Sequence, residues 1–201
     1  MNNINNVLYD KVPFYSQIID RNENIFSETE RIYWSKRSCG IASIRMVIDA
    51  FRILNNQSLC PSQSEMILRG IHMNAYCQRG WIHKKLLKLA EGFGLDGQTF
   101  RNATIEDVRK ELDNGKLCII SATICFLGGE CSNDGEIYTR GGHMSVVLGY
   151  GIDAESGEMT YIIVHHPSSE ENFNWRAKKI AIEKVRKSFS GAFMSFCNIQ
   201  N

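Results

Sequence analysis

An α+β domain is the fold that this sequence predicts, and three observations predict it. The first half carries helix-period apolar patterns bounded by caps. The second half carries runs of consecutive β-prone apolar residues joined by a hairpin signal. No internal repeat, low-complexity tract or linker divides the two. Helices followed by a run of strands point to a helical N-terminal half packed on an antiparallel sheet from the C-terminal half. At 201 residues, 43% of them hydrophobic, the chain can bury a sizeable core as one domain over 1–201.

Residues 1–10 are Asn-rich and expected as a loose terminus or first edge. Val12-Pro13-Phe14-Tyr15-Ser16-Gln17 reads as a short extended segment that Pro13 confines to an edge or entry position. Residues 18–37 are polar and charged and read as a surface loop, with Tyr33-Trp34 near its end. From Cys39 onward Ile41, Ile44, Val47, Ile48 and Phe51 fall on one face of a helix that runs to about Leu54, where Asn55-Asn56-Gln57 stops it. Pro61 and the capping box Ser62-Gln63-Ser64-Glu65 open a short helix through about Arg69. Gly80 opens a further helical pattern, with Ile82, Leu86, Leu89, Ala90 and Phe93 on one face, ended by Gly92 and Gly94. Asn102-Ala103-Thr104 matches a glycosylation sequon but is better read as the cap of a helix with Ile105, Val108 and Leu112 inward, closed by Gly115.

Residues 117–124 then form a buried-strand pattern. Residues 127–142 are rich in Gly, polar and charged residues and read as a long loop. Met144–Leu148 and Met159–Val164 are two apolar runs joined by a turn-forming segment, a hairpin signal. Residues 171–180 are mixed, 181–189 read as a short helix, and Ala192–Ile199 as a last strand.

Composition removes several function classes. The formal net charge is +1, and no basic stretch interleaved with aromatics stands out, so nucleic acid is not expected as a partner. The longest apolar runs fall far short of a membrane span, so no membrane is expected either. The N-terminus lacks a charged segment followed by an apolar one, so no signal peptide is expected. Seven cysteines, an odd number, without a secretory signal point to reduced thiols in a cytoplasm. Oligomeric state is not legible.

Cys39 is the centre of the chemical reading. In the first turn of its helix it would meet unpaired backbone N–H groups and the positive end of the macrodipole, which favour a thiolate. Gly40 lets a substrate or other backbone approach the sulfur. Taken alone, any one of seven cysteines is more simply read as a small apolar residue, so partners elsewhere must decide. Gly141-Gly142-His143 sits where the long loop enters a strand, and His165-His166-Pro167 ends the hairpin's second strand. The start of one antiparallel strand lies beside the end of the next, so His143 and the 165–166 pair should be neighbours. Cysteine, histidine and a third polar residue match the nucleophile, base and orienter of covalent catalysis. Neighbouring residues of a strand face opposite ways, so only one of His165 and His166 can face the site.

Four motifs in this order, Val12–Gln17, Cys39-Gly40-Ile41-Ala42-Ser43, Gly142–Tyr150 and a hydrophobic strand ending in residue-Pro, resemble the bacteriocin-processing branch of the papain-like cysteine peptidases. They resemble most the free-standing relatives without a transporter. Gly80-Trp81-Ile82-His83, Asn114–Leu117 and Phe189-Ser190-Gly191 are similar to intervening elements, so the resemblance spans about residues 11–199. It implies a papain-like fold and a cysteine-dependent amide or peptide hydrolase acting on a peptide or peptide-like substrate through a thioester, with no cofactor. It further implies Cys39 as nucleophile, His143 as base, and Gln17 as oxyanion donor with the Cys39 backbone N–H.

One position departs from the family. The residue before the proline is usually aspartate and here is His166. A neutral histidine can accept the His143 N–H and fix its tautomer, but it cannot stabilise an imidazolium as a carboxylate does. Three readings stay open: a weaker or tuned hydrolase, an acyltransferase or amide-forming enzyme, and a catalytically silent peptide-binding module. A Cys39–His143–His166 metal site ranks well below the triad, because the spacing is not that of a known zinc motif. Cys118 and Cys125 read as core, and Cys125 and Cys131 lack a second pair for a metal. Glu130, Asp134 and Glu136 could line the cleft or form a lid, although a solvated loop is the default. Trp34 could wall the cleft or pack in the core, and His72 and His83 show no ligating neighbours.

Overall fold

A computed structural model describes residues 9–123, 126 and 142–199. The 127–142 loop with Glu130, Asp134 and Glu136, the pair Cys125 and Cys131, and the first eight residues therefore lie outside the described residues, Gly142 excepted.

In chain order the helices and strands are α1 (Glu28–Ser35), α2 (Cys39–Leu54), α3 (Gln63–His72), β1 (Tyr76–Cys77), β2 (Gly80–Trp81), α4 (His83–Glu91) and β3 (Leu95–Phe100). There follow α5 (Ile105–Asp113), β4 (Leu117–Ala122), β5 (His143–Ile152), β6 (Met159–His166), β7 (Trp175–Ala181), α6 (Ile182–Ser188) and β8 (Phe189–Asn198). Six strands form one sheet in the order β3-β8-β4-β5-β6-β7, antiparallel throughout, and β1 and β2 form a two-residue hairpin apart from it.

The fold is α+β, as the pattern predicts. The apolar face of α2 packs with Met66, Ile67 and Leu86 against one side of the sheet, through Leu117, Ile119, Val146, Leu148 and Met194. The opposite side carries α5 and α6, whose Ile105, Val108, Leu112, Ile182 and Val185 meet Cys118, Ile120, Val147, Ile162 and Phe193. Strand β4 is buried on both faces, which is why it reads as an unbroken apolar run rather than an alternation. Thr104 caps α5 as expected, in a reciprocal box with Asp107.

Several expectations need correction. Residues 18–37 are not wholly a loop: Ser27 and Glu30 form a capping box that opens α1. The helix expected from Gly80 begins only at His83, because Gly80 adopts φ +95° and Gly80-Trp81 pairs with Tyr76-Cys77. Residues 95–100 and 175–181 are strands. Both are edges with one partner, so little burial forces an apolar pattern on them, and their sequences read as polar or mixed. Val12–Gln17 is not a sheet strand. It is tied down by the Tyr15 hydroxyl donating to Asp49 (2.8 Å) and by His165 Nε2 on the Val12 carbonyl (3.2 Å). The last strand begins at Phe189 rather than Ala192.

Candidate active site

Cys39 is the first residue of α2, and the helix end is left open by what surrounds it. Ser38 occupies the cap position, yet its side chain makes no capping bond; its hydroxyl donates to the Gln17 carbonyl (2.9 Å) and accepts from Gln63 Nε2 (3.2 Å). The first N–H groups of α2 thus keep their donors for whatever approaches the sulfur. The Gly40 φ is helical, and its role is steric: a Cβ there would lie 2.9 Å from three atoms of Trp81. Ser43 Oγ donates to the Met144 carbonyl (3.2 Å), which fastens α2 to β5 next to His143.

The half-buried Cys39 thiol is pushed up in pKa by burial, while the N–H groups of Met144, Gly40 and Cys39 itself act the other way. Burial therefore outweighs the helix end, contrary to the expectation of a thiolate favoured by position alone. His143 is held well below the ordinary imidazole range, first by burial and then by the like charge of His166, with the Pro167 carbonyl opposing. Both shifts favour the uncharged forms, a thiol and a neutral imidazole.

The ring of His143 is buried at the start of β5, and its Nε2 lies 2.5 Å from the Pro167 carbonyl oxygen. A carbonyl only accepts, so Nε2 carries the proton and Nδ1 keeps its lone pair. His166 is fully buried and stacks on His143, ring centroids 4.2 Å apart and planes 21° from parallel. Its Nδ1 meets the Phe173 carbonyl (2.6 Å). Ring nitrogens bond in the plane of the ring, so a stacked partner does not receive the His143 N–H. The expectation that His166 accepts that proton is corrected: the backbone oxygen of Pro167 does.

Hairpin geometry brings His143 and His166 together as expected, and His165 faces away, against Phe14 and the Val12 carbonyl. Gln17 is buried beside the helix start, with Nε2 donating to the Ser35 carbonyl (2.9 Å), and the second N–H of that amide has no acceptor among the described residues.

Cys39, His143 and Gln17 line one cleft of about 1260 Å³. Small-ligand pockets run to about 1,000 Å³, so the cleft has room for a longer, chain-like guest. One wall is aromatic: Trp81 packs edge-on against Tyr76 (5.1 Å) and tilted against Trp34 (6.0 Å), and its indole N–H donates to the Arg37 carbonyl (2.7 Å). Sequence reading missed His83 and Ser121, whose Nε2 and Oγ lie 2.9 Å apart, both buried and both lining the cleft. The signal available was Gly80-Trp81-Ile82-His83, a motif noted without a role. Among the described residues no group of three or more His, Cys, Asp or Glu is arranged to hold a metal. Among the described residues no helix is long and apolar enough to cross a membrane.

Residues 9–192 match the Peptidase C39 like family. No curated protein matches the chain. Solved structures are similar in fold, two peptidases among them. One is a double glycine motif protease from an AMS/PCAT transporter in complex with the leader peptide, 19% identical, covering 81% of this chain and 85% of that one at a TM-score of 0.51. The other, a C39-like peptidase from Bacillus anthracis, is 15% identical, covering 94% and 96% at 0.52.

Proposed function

The chain belongs to the Peptidase C39 like family, and on that premise we propose that it is a cysteine peptidase-type hydrolase of peptides, acting as one domain through Cys39 and His143. The observation that carries this reading is the Nε2–H of His143 held on the Pro167 carbonyl (2.5 Å). It leaves Nδ1 as a base within the cleft that Cys39 opens into.

In the proposed cycle His143 Nδ1 takes the thiol proton and the sulfur attacks the scissile carbonyl carbon. The oxyanion receives the Cys39 backbone N–H and the free N–H of the Gln17 amide. The imidazolium, steadied by the Pro167 carbonyl, protonates the leaving amine. Water then resolves the thioester, with His143 as base again. Starting from neutral partners, the thiolate forms in the attack step itself, as His143 takes the proton, rather than standing ready. The cycle needs reduced thiols, in keeping with the free Cys39, Cys60, Cys77, Cys118 and Cys197, and a cytoplasm supplies that environment. The complex of a similar fold with a leader peptide supports a peptide as substrate.

Burial that raises the thiol and lowers the imidazole also favours a second reading, a peptide-binding module without turnover. Timed alkylation with iodoacetamide at pH 7.5, read site by site by mass spectrometry, separates the two. A hydrolase alkylates at Cys39 faster than at Cys60, whose thiol burial and Asp49 push up to about 12, and loses peptide cleavage in Cys39→Ala. Equal labelling of Cys39 and Cys60, or cleavage surviving in Cys39→Ala, overturns the assignment.

A further inference from the structure

The charged side chains among the described residues that line the cleft are all of one sign. Lys36, Arg37, Arg79 and Arg101 all line it, and among its described lining residues there is no aspartate or glutamate. Every ion pair of the described residues lies elsewhere, so none of the four cations has a carboxylate partner among the described residues. Arg37, in the turn after α1, folds back on that helix, with Nη1 donating to the Tyr33 carbonyl (3.2 Å) and its guanidinium over the Tyr33 ring (4.1 Å). The charge of Arg101 reaches His83, which burial and that charge together hold near 4. The cations come from three separate stretches of the chain: Lys36 and Arg37 just before the Cys39 helix, Arg79 on the turn before Trp81, and Arg101 just after β3.

The whole chain carries a net charge of only +1, so this concentration is local and not a property of a basic protein. Clefts with low-dielectric walls focus such fields and raise the local concentration of oppositely charged guests.

We infer that the cleft selects peptides bearing acidic side chains near the scissile bond, with Arg37, Arg79 and Arg101 as specificity-determining residues. The inference deepens the peptidase reading and rests on it. Arginine suits this task because its planar fork takes a carboxylate bidentately without losing its charge. The aromatic wall of Trp81 and Tyr76 would cover the backbone of such a peptide, while cations at the rim take its side chains.

Two matched alkylating reagents test this with no peptide substrate needed. Iodoacetate is an anion and iodoacetamide its neutral counterpart, and both label a thiol by displacing iodide. The ratio of their rates at Cys39, divided by the same ratio for free glutathione, reads the field at the sulfur. At low ionic strength this quotient is expected at about 10, falling toward 1 in half-molar salt and dropping about threefold in the Arg79→Gln, Arg101→Gln double variant. A quotient of 1, or one unmoved by the variant, overturns the inference while leaving the nucleophile intact. Failure of Cys39 to react with either reagent overturns the peptidase reading instead. In that event calorimetry on Cys39→Ala decides: acetyl-Gly-Glu-Gly-Glu-Gly-amide must bind at least about fivefold more tightly than its Gln counterpart in low salt, and equal binding rejects the inference.

Discussion

His143 and His166 lie face to face, ring centroids 4.2 Å apart, with His143 turned edge-on to the carbonyl of Pro167. The chain thus places an imidazole just before Pro167, and the His143 N–H goes not to that ring but to the proline's backbone carbonyl. An acceptor built into the main chain is not removed by a side-chain change at position 166, so the His143 ring keeps its tautomer when that residue is replaced.

Substitution of His166 separates stacking from hydrogen bonding. His166→Phe keeps a flat ring against His143 and removes a like charge, so the His143 pKa rises. His166→Asp replaces repulsion by attraction and raises it further. The base must be neutral to act, so the acid limb of the kcat/KM profile moves to higher pH in both, more in Asp, while the plateau of the Phe variant stays within about threefold of the parent. A hundredfold loss in Phe with full activity in Asp would show that the ring acts through an in-plane bond after all.

Gln17→Ala removes the proposed second oxyanion donor. The expected result is a fall of about a hundredfold in kcat with KM little changed. A rise in KM alone would mean that the amide holds substrate rather than transition state.

Gly40→Ala drives a methyl into Trp81, where contacts of 2.9 Å leave no room. Because the Trp81 indole is pinned to the Arg37 carbonyl (2.7 Å), it has little freedom to yield. Urea unfolding should show about 1–3 kcal/mol of destabilisation, and peptide binding should weaken as the aromatic wall shifts. An unchanged unfolding midpoint would show that Trp81 moves freely.

Acid should unfold the protein through two histidines outside the proposed chemistry. Burial, with Arg101 nearby, holds His83 near 4, and burial, with Arg176 nearby, holds His165 near 4. His165 Nδ1 accepts the Ala177 N–H (3.0 Å), a bond that protonation destroys. Unfolded histidines take up a proton below about 6.5, so between 6.5 and 4 the unfolded state binds more protons. Stability is full above that window and falls through it by on the order of 3 kcal/mol for each group. Urea titrations at pH 7.5 and 4.5 measure the loss, and His165→Gln should flatten it. Equal stability at the two pH values would refute the buried neutral state.

The amino-acid order alone determined the parts of this protein that local periodicity and capping dictate: the α2 helix, the Ser62 and Thr104 caps, the buried β4 strand and the β5–β6 hairpin. It also determined that His143 lies beside the His165–His166 pair, because antiparallel pairing leaves a strand start beside the next strand's end; which of the two faces it was left to the fold. Edge strands β3 and β7 were not legible, since one-sided pairing imposes little apolar pattern. The stacking of His143 on His166, the bond from His143 to the Pro167 carbonyl, and the gathering of four cations around one cleft were decided by tertiary structure. Each joins residues far apart in the chain or depends on which way a ring turns, and such contacts leave no period in the sequence. The same holds for the Cys39 thiol: its place at a helix start is written locally, whereas the burial that raises its pKa comes from the walls that the rest of the chain builds around it.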